Sequence, residues 1–145
     1  MKKVVFVCLG NICRSPMAEF VMKSLTDDYE IESRATSSWE HGNPIHKGTQ
    51  KIFKAHEIPY DSSKTSQQIS KDDFERFDYI IGMDESNLLD LTRMCPQDQQ
   101  HKLEAFASEG VPDPWYTGDF DETYDRVLTG CQAWLTRLEN EAKNG

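Results

Sequence analysis

Short apolar runs alternate with amphipathic stretches along most of the chain. The residues at 3–8, Lys-Val-Val-Phe-Val-Cys, form a β-branched and aromatic run that is typical of a strand buried on both faces. Comparable runs predict further strands at 31–36 and 78–83, and a short fourth strand at 102–106. The stretches between these strands have helical spacing.

The helical stretches have recognisable beginnings and apolar faces. The first begins at Ser15 and Pro16, because serine suits the N-cap and proline suits the first helical position. Further helices are predicted over 49–55, 85–94 and 120–143. The last of these has one apolar face, which consists of Val127, Leu128, Cys131, Trp134, Leu135 and Leu138.

Strands that alternate with helices predict an α/β fold with a central four-stranded parallel sheet and helices on both faces. We expect a single domain over residues 1–145, since this length matches one ordinary domain and no repeat or linker interrupts it. Two loops rich in glycine, proline and aromatic residues lie at 39–48 and 110–120. In such a sheet, ligands bind at the carboxyl ends of the strands.

The composition fits a folded domain and narrows the range of partners. Hydrophobic residues make up 37% and charged residues 28% of the chain, and the formal net charge is −9. The charge is uneven, with +1 over residues 1–72 and −10 over residues 73–145. A chain without a basic stripe is poorly suited to nucleic acid or to an anionic membrane, because both attract clustered cations.

The longest apolar run, residues 4–9, is too short to span a membrane or to act as a signal peptide. We therefore expect a cytoplasmic protein, with export by a route that needs no signal peptide left open. The four cysteines include no Cys-x-x-Cys pair, and the four histidines show no spacing typical of metal ligands. No metal site and no cofactor are expected.

The most informative segment is residues 8–15, Cys-Leu-Gly-Asn-Ile-Cys-Arg-Ser, which joins the first strand to the first helix. A tight turn between a strand and a helix directs successive backbone N–H groups toward an anion at the positive end of the helix dipole. Arg14 adds a planar fork that can hold two phosphoryl oxygens. The segment is therefore predicted to be a phosphate-binding loop. Besides Arg14, its members are Leu9, Gly10, Asn11, Ile12, Cys13 and Ser15.

The field that holds a phosphate also stabilises a thiolate, so Cys8 is expected to be ionised at neutral pH and to attack phosphorus. Ser15 is expected to donate a hydrogen bond to the Cys8 sulfur. Cys13 lies close in sequence, and a reversible disulfide between Cys8 and Cys13 under oxidising conditions is a hypothesis. The alternative is that a cysteine after a strand acts only as a small apolar side chain.

Expulsion of an aryl oxygen needs a proton and the later attack of water needs a base, and one carboxyl group can serve both steps. Asp113 stands out, because Pro112 and Pro114 stiffen the backbone on either side of it. The alternative is a plain turn.

Three aromatic residues, Trp39, Trp115 and Tyr116, lie in the two glycine- and proline-rich loops. Flat aromatic faces suit a phenyl ring, and a deep cleft favours phosphotyrosine over the shorter phosphoserine. These three are predicted to form the substrate pocket. The alternative for any aromatic is core packing, which we expect for Trp134 on the apolar face of the last helix.

Residues 7–19, Val-Cys-Leu-Gly-Asn-Ile-Cys-Arg-Ser-Pro-Met-Ala-Glu, resemble the phosphate-binding loop of the low-molecular-weight protein tyrosine phosphatases of bacterial type. Residues 35–44, 82–87 and 111–116 resemble that family's other landmarks, in the expected order. The resemblance implies a metal-independent enzyme that hydrolyses phosphotyrosine in tyrosine-phosphorylated proteins, with a phosphocysteine intermediate at Cys8. We expect a monomer or a weakly self-associating protein.

The resemblance also implies roles for single residues. Asp113 matches the family's proton donor, Asn11 matches a residue that maintains the strained loop, and Asp84 matches a member of a supporting hydrogen-bond network. Aromatic residues at the positions of Trp39, Trp115 and Tyr116 line the family's cleft. Without the resemblance, Asp84 is simply an N-cap for the helix that follows it, and both roles are compatible.

This chain departs from many relatives at residues 64–68, Lys-Thr-Ser-Gln-Gln, where they carry a basic segment. Gln67 stands in place of an arginine, which bears on the support of Asp84. Trp115 stands where vertebrate relatives have tyrosine, which bears on substrate preference rather than on the reaction.

Three other functions are alternatives. A thioredoxin-coupled arsenate reductase shares this fold and loop, but it needs two further cysteines close together, and Cys95 and Cys131 are far apart in sequence. A module that binds phosphotyrosine without hydrolysis, or a carrier of phosphate on Cys8, would not need Asp113.

Overall fold

The computed structural model describes residues 1–144 and is built around one sheet. Its strands are β1 (Lys3–Cys8), β2 (Glu30–Ala35), β3 (Tyr79–Gly82) and β4 (Leu103–Ala105). The strand order is β2-β1-β3-β4, and every neighbouring pair is parallel. The predicted four-stranded parallel sheet is therefore confirmed, with strand ends within one residue of the prediction.

Helices connect the strands and follow the last of them. They are α1 (Arg14–Leu25), α2 (Lys47–Ala55), α3 (Lys71–Arg76), α4 (Glu85–Met94), α5 (Pro114–Thr117) and α6 (Phe120–Asn144). A 3₁₀ turn at Gln97–Lys102 precedes β4. The predicted helices over 85–94 and 120–143 are confirmed.

Apolar side chains pack against both faces of the sheet, because successive residues of a strand point to opposite sides. Val4 and Phe6 of β1 pack against α1 and α6, whereas Val5 and Val7 pack against α3 and α4. Trp134 of α6 is 3% exposed, so the prediction that it belongs to the core is confirmed. Helices thus cover both faces, as predicted.

The beginning of α1 differs from the prediction. The helix begins at Arg14, with Cys13 at the N-cap and no side-chain cap, so the assignment of Ser15 to the N-cap is wrong. The Ser15 side chain is buried and contacts the Cys8 sulfur instead. The physical reason is that its hydroxyl satisfies groups inside the loop rather than an N–H group of the helix.

Two other helices have beginnings that the sequence analysis missed. Helix α2 begins two residues before the prediction, and His46 caps it by accepting the backbone N–H of Gly48. Helix α3 was not predicted, although Ser70 and Asp73 form a capping box at its N-terminus. Its six residues are too few for a helical pattern of apolar positions to stand out.

The fold sets the loop between β1 and α1 at the carboxyl end of a central strand. No helix among residues 1–144 is long and apolar enough to cross a membrane. Within the same described range, no group of three or more His, Cys, Asp or Glu side chains is placed to hold a metal ion.

Candidate active site

The loop between β1 and α1, residues 9–13, is shaped for an anion. Asn11 has a φ of 55°, in the left-handed region that asparagine adopts more readily than most residues with a side chain. Of the backbone amides of residues 9–13, only that of Asn11 donates to another atom of the described chain, the Cys8 sulfur at 3.3 Å. The other amides are available to an anion at the N-terminus of α1, where the helix dipole favours negative charge.

Cys8 is the last residue of β1 and is only 2% exposed. Its sulfur lies 3.0 Å from the hydroxyl oxygen of Ser15, which in turn lies 3.3 Å from the carbonyl of Arg34. A Cys8 thiol can donate to Ser15 while Ser15 donates to that carbonyl, and a Cys8 thiolate can accept the Ser15 proton instead. Ser15 can therefore adapt to the ionisation of Cys8 by a turn of its hydroxyl group.

Asn11 ties the loop to the rest of the fold through its whole side chain. Its amide nitrogen donates to the hydroxyls of Ser15 at 2.8 Å and Ser33 at 3.0 Å. Its amide oxygen accepts the backbone N–H of Gln67 at 3.1 Å, and the Ser66 hydroxyl donates to a carbonyl of the loop at 2.7 Å. The segment that departs from many relatives thus supports the loop, and Gln67 does so through its backbone.

A charged pair of the buried Glu19 and the partly buried Lys64 lies behind this network. Glu19 is 3% exposed, accepts a hydrogen bond from Ser33 at 2.6 Å and lies 3.4 Å from the ammonium of Lys64. Its other oxygen accepts from Lys23 at 2.7 Å. Burial lowers the pKa of Lys64 from its ordinary value, although the charge of Glu19 acts in the opposite direction. Both oxygens of Glu19 are engaged, so Ser33 has a fixed partner.

Arg14 is 2% exposed and reaches from α1 to two other loops. Its Nη1 donates to Asp84 Oδ2 at 2.6 Å and to the Val111 carbonyl at 3.1 Å, and its Nη2 donates to Asp113 Oδ2 at 3.3 Å. Burial opposes its charge, but Cys8, Asp84 and Asp113 together raise the pKa of the guanidinium above its ordinary value. Two of its five N–H donors have no protein partner within residues 1–144 and are free to hold a ligand.

The two aspartates that contact Arg14 are each fixed a second time. Asp84 is the N-cap of α4, where its Oδ1 accepts the backbone N–H of Asn87 at 2.7 Å. Asp113 is the N-cap of α5, where its Oδ1 accepts the backbone N–H of Trp115 at 3.0 Å. Asp84 therefore has both an N-cap contact and an ion pair, and neither needs a basic residue at position 67.

Cys13 is the second cysteine of this segment, and its thiol is buried. It is 4% exposed, and burial, with the nearby Cys8 and Asp113, raises the pKa of its thiol to about 12. Such a thiol keeps its proton at neutral pH and is a weak nucleophile. All four cysteines of the chain are free, and a disulfide between Cys8 and Cys13 stays a prediction.

A cleft of about 240 Å³ opens over the loop. The part of its lining that comes from the loop and its two flanking residues consists of Cys8, Leu9, Gly10, Asn11, Ile12, Cys13 and Arg14. The rest is lined by Trp39, Glu40, Asp113, Trp115 and Tyr116. The three aromatic residues are more than half exposed, at 77%, 58% and 77% in chain order, so they form an open rim.

An anion-binding loop, a buried cysteine and an arginine between two aspartates make a site that can be compared with those of known proteins. Residues 3–144 match the model of a family described as low molecular weight phosphotyrosine protein phosphatase. The low molecular weight protein-tyrosine-phosphatase PtpA of Staphylococcus aureus is 43% identical over 152 aligned residues, which cover 98% of this chain and 97% of that protein. The chain belongs to the low-molecular-weight protein tyrosine phosphatases.

Solved structures lead to the same family. The low molecular weight protein tyrosine phosphatase SP-PTP of Streptococcus pyogenes has a TM-score of 0.91 and 60% identity, with 95% of this chain and 93% of that chain covered. YfkJ of Bacillus subtilis has a TM-score of 0.90 and 37% identity, with 97% and 96% covered. Members of the family are metal-independent protein-tyrosine phosphatases, and this chain is such an enzyme, with phosphotyrosine-bearing substrates.

In this phosphatase, most of the residues that the sequence singles out line one cleft. Two lie just outside it: Ser15 is fully buried behind the Cys8 sulfur, and Asp84 reaches the site through Arg14. Sequence reasoning missed Ser33, which contacts Asn11 of the loop, and Lys64, which contacts Ser33 and Glu19 behind it. The one local sign of this part of the network is Glu19, a carboxylate whose neighbours in α1 are apolar.

Proposed function

We propose that this phosphatase hydrolyses phosphotyrosine, and small aryl phosphates, through a phosphocysteine intermediate. Cys8 is the nucleophile, Arg14 binds the phosphoryl group with the loop amides, and Asp113 acts first as general acid and then as general base. The domain spans residues 1–145, and neither a metal ion nor a cofactor takes part. The contact of Arg14 with Asp113 at 3.3 Å carries the proposal, because it brings acid, phosphoryl binder and cysteine loop to one cleft.

Binding uses donors that have no other protein partner in the described chain. Within the loop amides of residues 9–14, those other than the Asn11 amide hold the phosphoryl oxygens together with the two remaining N–H groups of Arg14. Asp84 keeps the guanidinium in place from behind, so it needs little reorientation when the substrate arrives. Fixed donors of this kind stabilise charge more effectively than mobile water.

The first step transfers the phosphoryl group to sulfur. The Cys8 thiolate attacks phosphorus, the bond from phosphorus to the phenolic oxygen breaks, and that oxygen takes the proton of the Asp113 carboxyl group. The loop amides and Arg14 stabilise the charge on the three other oxygens, which is the main requirement of phosphoryl transfer. The free tyrosine product then leaves.

The second step restores the enzyme. Water attacks phosphorus and gives a proton to the Asp113 carboxylate, while the bond between sulfur and phosphorus breaks and its electron pair returns to Cys8. The Ser15 hydroxyl, 3.0 Å from the sulfur, stabilises the departing thiolate. Inorganic phosphate leaves, and Asp113 again carries the proton for the next cycle.

The exposed aromatic rim favours a substrate that is part of a protein. Trp39, Trp115 and Tyr116 offer flat faces to a phosphotyrosine ring, and the open cleft leaves room for the chain on either side. We propose tyrosine-phosphorylated proteins, rather than nucleic acid, as partners. We further propose a monomer or weakly self-associating enzyme in the cytoplasm, since four free cysteines suit a reducing compartment.

Arsenate reduction with a disulfide relay is less well supported. Cys95 and Cys131 are both buried, and burial raises the pKa of both thiols. Cys131 contacts the Ala18 carbonyl in the core, so it is poorly placed to exchange a disulfide with another protein. A non-hydrolytic binding module and a phosphate carrier are outcomes of the experiment that follows.

The proposal is tested by rapid mixing with p-nitrophenyl phosphate in excess chelator. The native enzyme should release a burst of nitrophenol equal to the enzyme concentration, followed by slower turnover. Cys8→Ser should show neither phase, and the matched variant Cys95→Ser, which removes a thiol far from the loop, should behave like the native enzyme. Turnover by Cys8→Ser would contradict the covalent route. Release without turnover would favour a carrier, and no release from folded protein would favour a binding module.

A further inference from the structure

We propose that His46 is a positioning residue that couples the loop carrying Asp113 to the phosphate-binding loop. This inference rests on the proposed function, since it concerns the placement of the acid. His46 is half-buried at the start of α2 and is not among the residues that line the cleft. It contacts one loop through its backbone and the other through its ring.

The backbone of His46 holds the phosphate-binding loop. Its N–H donates to the Ile12 carbonyl at 2.9 Å. In the first turn of α2, the hydroxyl of the fully buried Thr49 donates to the Cys13 carbonyl at 3.3 Å. Two hydrogen bonds therefore fix the N-terminus of α2 to the second half of the loop.

The ring of His46 contacts the segment that follows Asp113. It lies edge-on to Trp115, with ring centroids 5.8 Å apart, and it stacks on Phe120 at 5.1 Å. Gly48 permits this packing, because a Cβ atom at Gly48 would lie 2.4 Å from the Phe120 ring. Helix α2 therefore contacts both α5 and the start of α6.

Trp115 extends this contact to Asp113. The backbone N–H of Trp115 donates to Asp113 Oδ1 at 3.0 Å, so a displacement of Trp115 also displaces the carboxyl group. Trp115 is 58% exposed, and His46 is its only partner among the aromatic pairs of residues 1–144. The ring of His46 is therefore the aromatic surface that orients Trp115.

A histidine meets two requirements at this position. Its Nδ1 accepts the Gly48 N–H at 2.9 Å, which caps α2 and fixes the plane of the ring. The ring faces and edges provide the surface that Trp115 and Phe120 contact. Asparagine would keep the hydrogen bond that caps α2 but would lose the ring that contacts Trp115 and Phe120. Phenylalanine would keep the ring but would lose the capping hydrogen bond.

The test compares two substrates whose leaving groups differ in their need for an acid. p-Nitrophenolate leaves readily without a proton, whereas the phenolate of phenyl phosphate needs one. In His46→Asn, kcat/KM for phenyl phosphate should fall about tenfold and that for p-nitrophenyl phosphate by less than about twofold, since a displacement of about 1 Å can cost up to about 10²-fold. His46→Phe should restore the native ratio of the two constants.

A double variant separates a positioning role from a structural one. In an Asp113→Asn background, His46→Asn should cause no further loss with phenyl phosphate, because it acts through the carboxyl group that is missing. His56→Asn is the matched control: His56 stacks on Tyr124 at the other end of α2, and its loss should leave the ratio unchanged. If His46→Asn does not fold, Phe120→Leu removes the ring that supports His46 and gives the same readout.

Three results would overturn the inference. They are an unchanged kcat/KM in His46→Asn, an equal loss of kcat/KM with both substrates, and a further tenfold loss with phenyl phosphate when His46→Asn is added to Asp113→Asn. If Asp113→Asn alone costs nothing with phenyl phosphate, the proposed function fails instead. The two failures are therefore distinguishable within one set of variants.

Discussion

The phosphate-binding loop and the loop that carries Asp113 border the same cleft, yet the fold holds them differently. Cys8, Arg14 and Ser15 are at most 2% exposed, and side chains from several elements converge on the segment that contains them. Beyond Asp113, by contrast, Trp115 is 58% exposed and its neighbour Tyr116 77%.

The second loop is held on the side of Val111, Pro112 and Asp113, where Arg14 also donates to the Val111 carbonyl at 3.1 Å. Arg14 donates to Asp113, and the hydroxyl of the buried Thr123 in α6 donates to the Pro112 carbonyl at 3.2 Å. His46 touches it from α2.

This difference follows from what each loop has to do. Groups that stabilise charge are most effective when they are fixed before the reaction begins. A loop that borders the path of a protein substrate must allow that substrate to enter and leave. The buried loop supplies the fixed charges, and the second loop holds the acid Asp113 next to the exposed side chains of Trp115 and Tyr116.

The largest effect is expected where the two loops meet. Arg14→Lys keeps the positive charge, but a lysine cannot contact Asp84, Asp113 and the phosphoryl oxygens together. We expect kcat/KM to fall about 10³–10⁵-fold, as is usual for loss of an arginine that acts in phosphoryl transfer. The loss should be similar for phenyl and p-nitrophenyl phosphate in steady-state kinetics. A loss confined to phenyl phosphate would assign Arg14 to the acid loop alone.

Asp113→Asn should affect the exposed loop selectively. The loss of a general acid should lower kcat/KM for phenyl phosphate about 10²–10⁴-fold. The constant for p-nitrophenyl phosphate should fall much less, because its leaving group needs little protonation. Asp121→Asn, a nearby exposed acid at the start of α6, serves as the control. Equal losses with both substrates would show that Asp113 supports the site without donating a proton.

Ser15→Ala should weaken the stabilisation of the Cys8 thiolate in the buried loop, so its effect on kcat should be the same for both leaving groups. It removes the hydroxyl 3.0 Å from the Cys8 sulfur and a partner of Asn11. A hydrogen bond to a charged group contributes about 1.5–3 kcal/mol, so kcat should fall about tenfold or more. Ser24→Ala on the same helix, where the hydroxyl bonds only the Val21 carbonyl, should leave kcat unchanged. A native kcat in Ser15→Ala would show that Ser15 does not stabilise the Cys8 thiolate during turnover.

The smallest effect concerns pH and stability rather than turnover. The pKa of Cys13 is about 12 in the folded protein, against an ordinary value of 9.0. Because the pKa of Cys13 is higher in the folded protein, the protonated thiol favours the folded state. This contribution to the free energy of unfolding is fully present below the ordinary pKa and is lost as the pH rises through the pKa of the folded protein. From about pH 8 to about pH 10.5, native protein should lose about 2 kcal/mol of unfolding free energy relative to Cys13→Ser. Urea unfolding at both pH values measures this, and an unchanged difference would contradict the burial of the Cys13 thiol.

The parts that the sequence predicts are those with local causes. The β-branched run of β1 is typical of a strand buried on both faces, and the residues of the phosphate-binding loop lie in one unbroken segment. Asp113 is marked by the prolines on both sides. The N-cap prediction for Ser15 is wrong because the same Ser-Pro pattern also suits a serine that turns into the loop.

The parts that the sequence does not predict depend on residues that meet only in the folded chain. Glu19, Ser33 and Lys64 come from α1, β2 and the segment before α3, and no local pattern joins them. His46 contacts Trp115 and Phe120 because α2 packs against α6, which no periodicity in either segment indicates.

In the proposed reaction, Cys8 carries the phosphoryl group during turnover. The most direct measurement is an acid quench of the Asp113→Asn variant during reaction with p-nitrophenyl phosphate, followed by digestion and mass spectrometry. Loss of the base for the second step should prolong the intermediate, and we expect one phosphate on the sulfur of Cys8. Phosphate on Ser15 or Cys13, or enzyme that stays unmodified while nitrophenol is released, would contradict it.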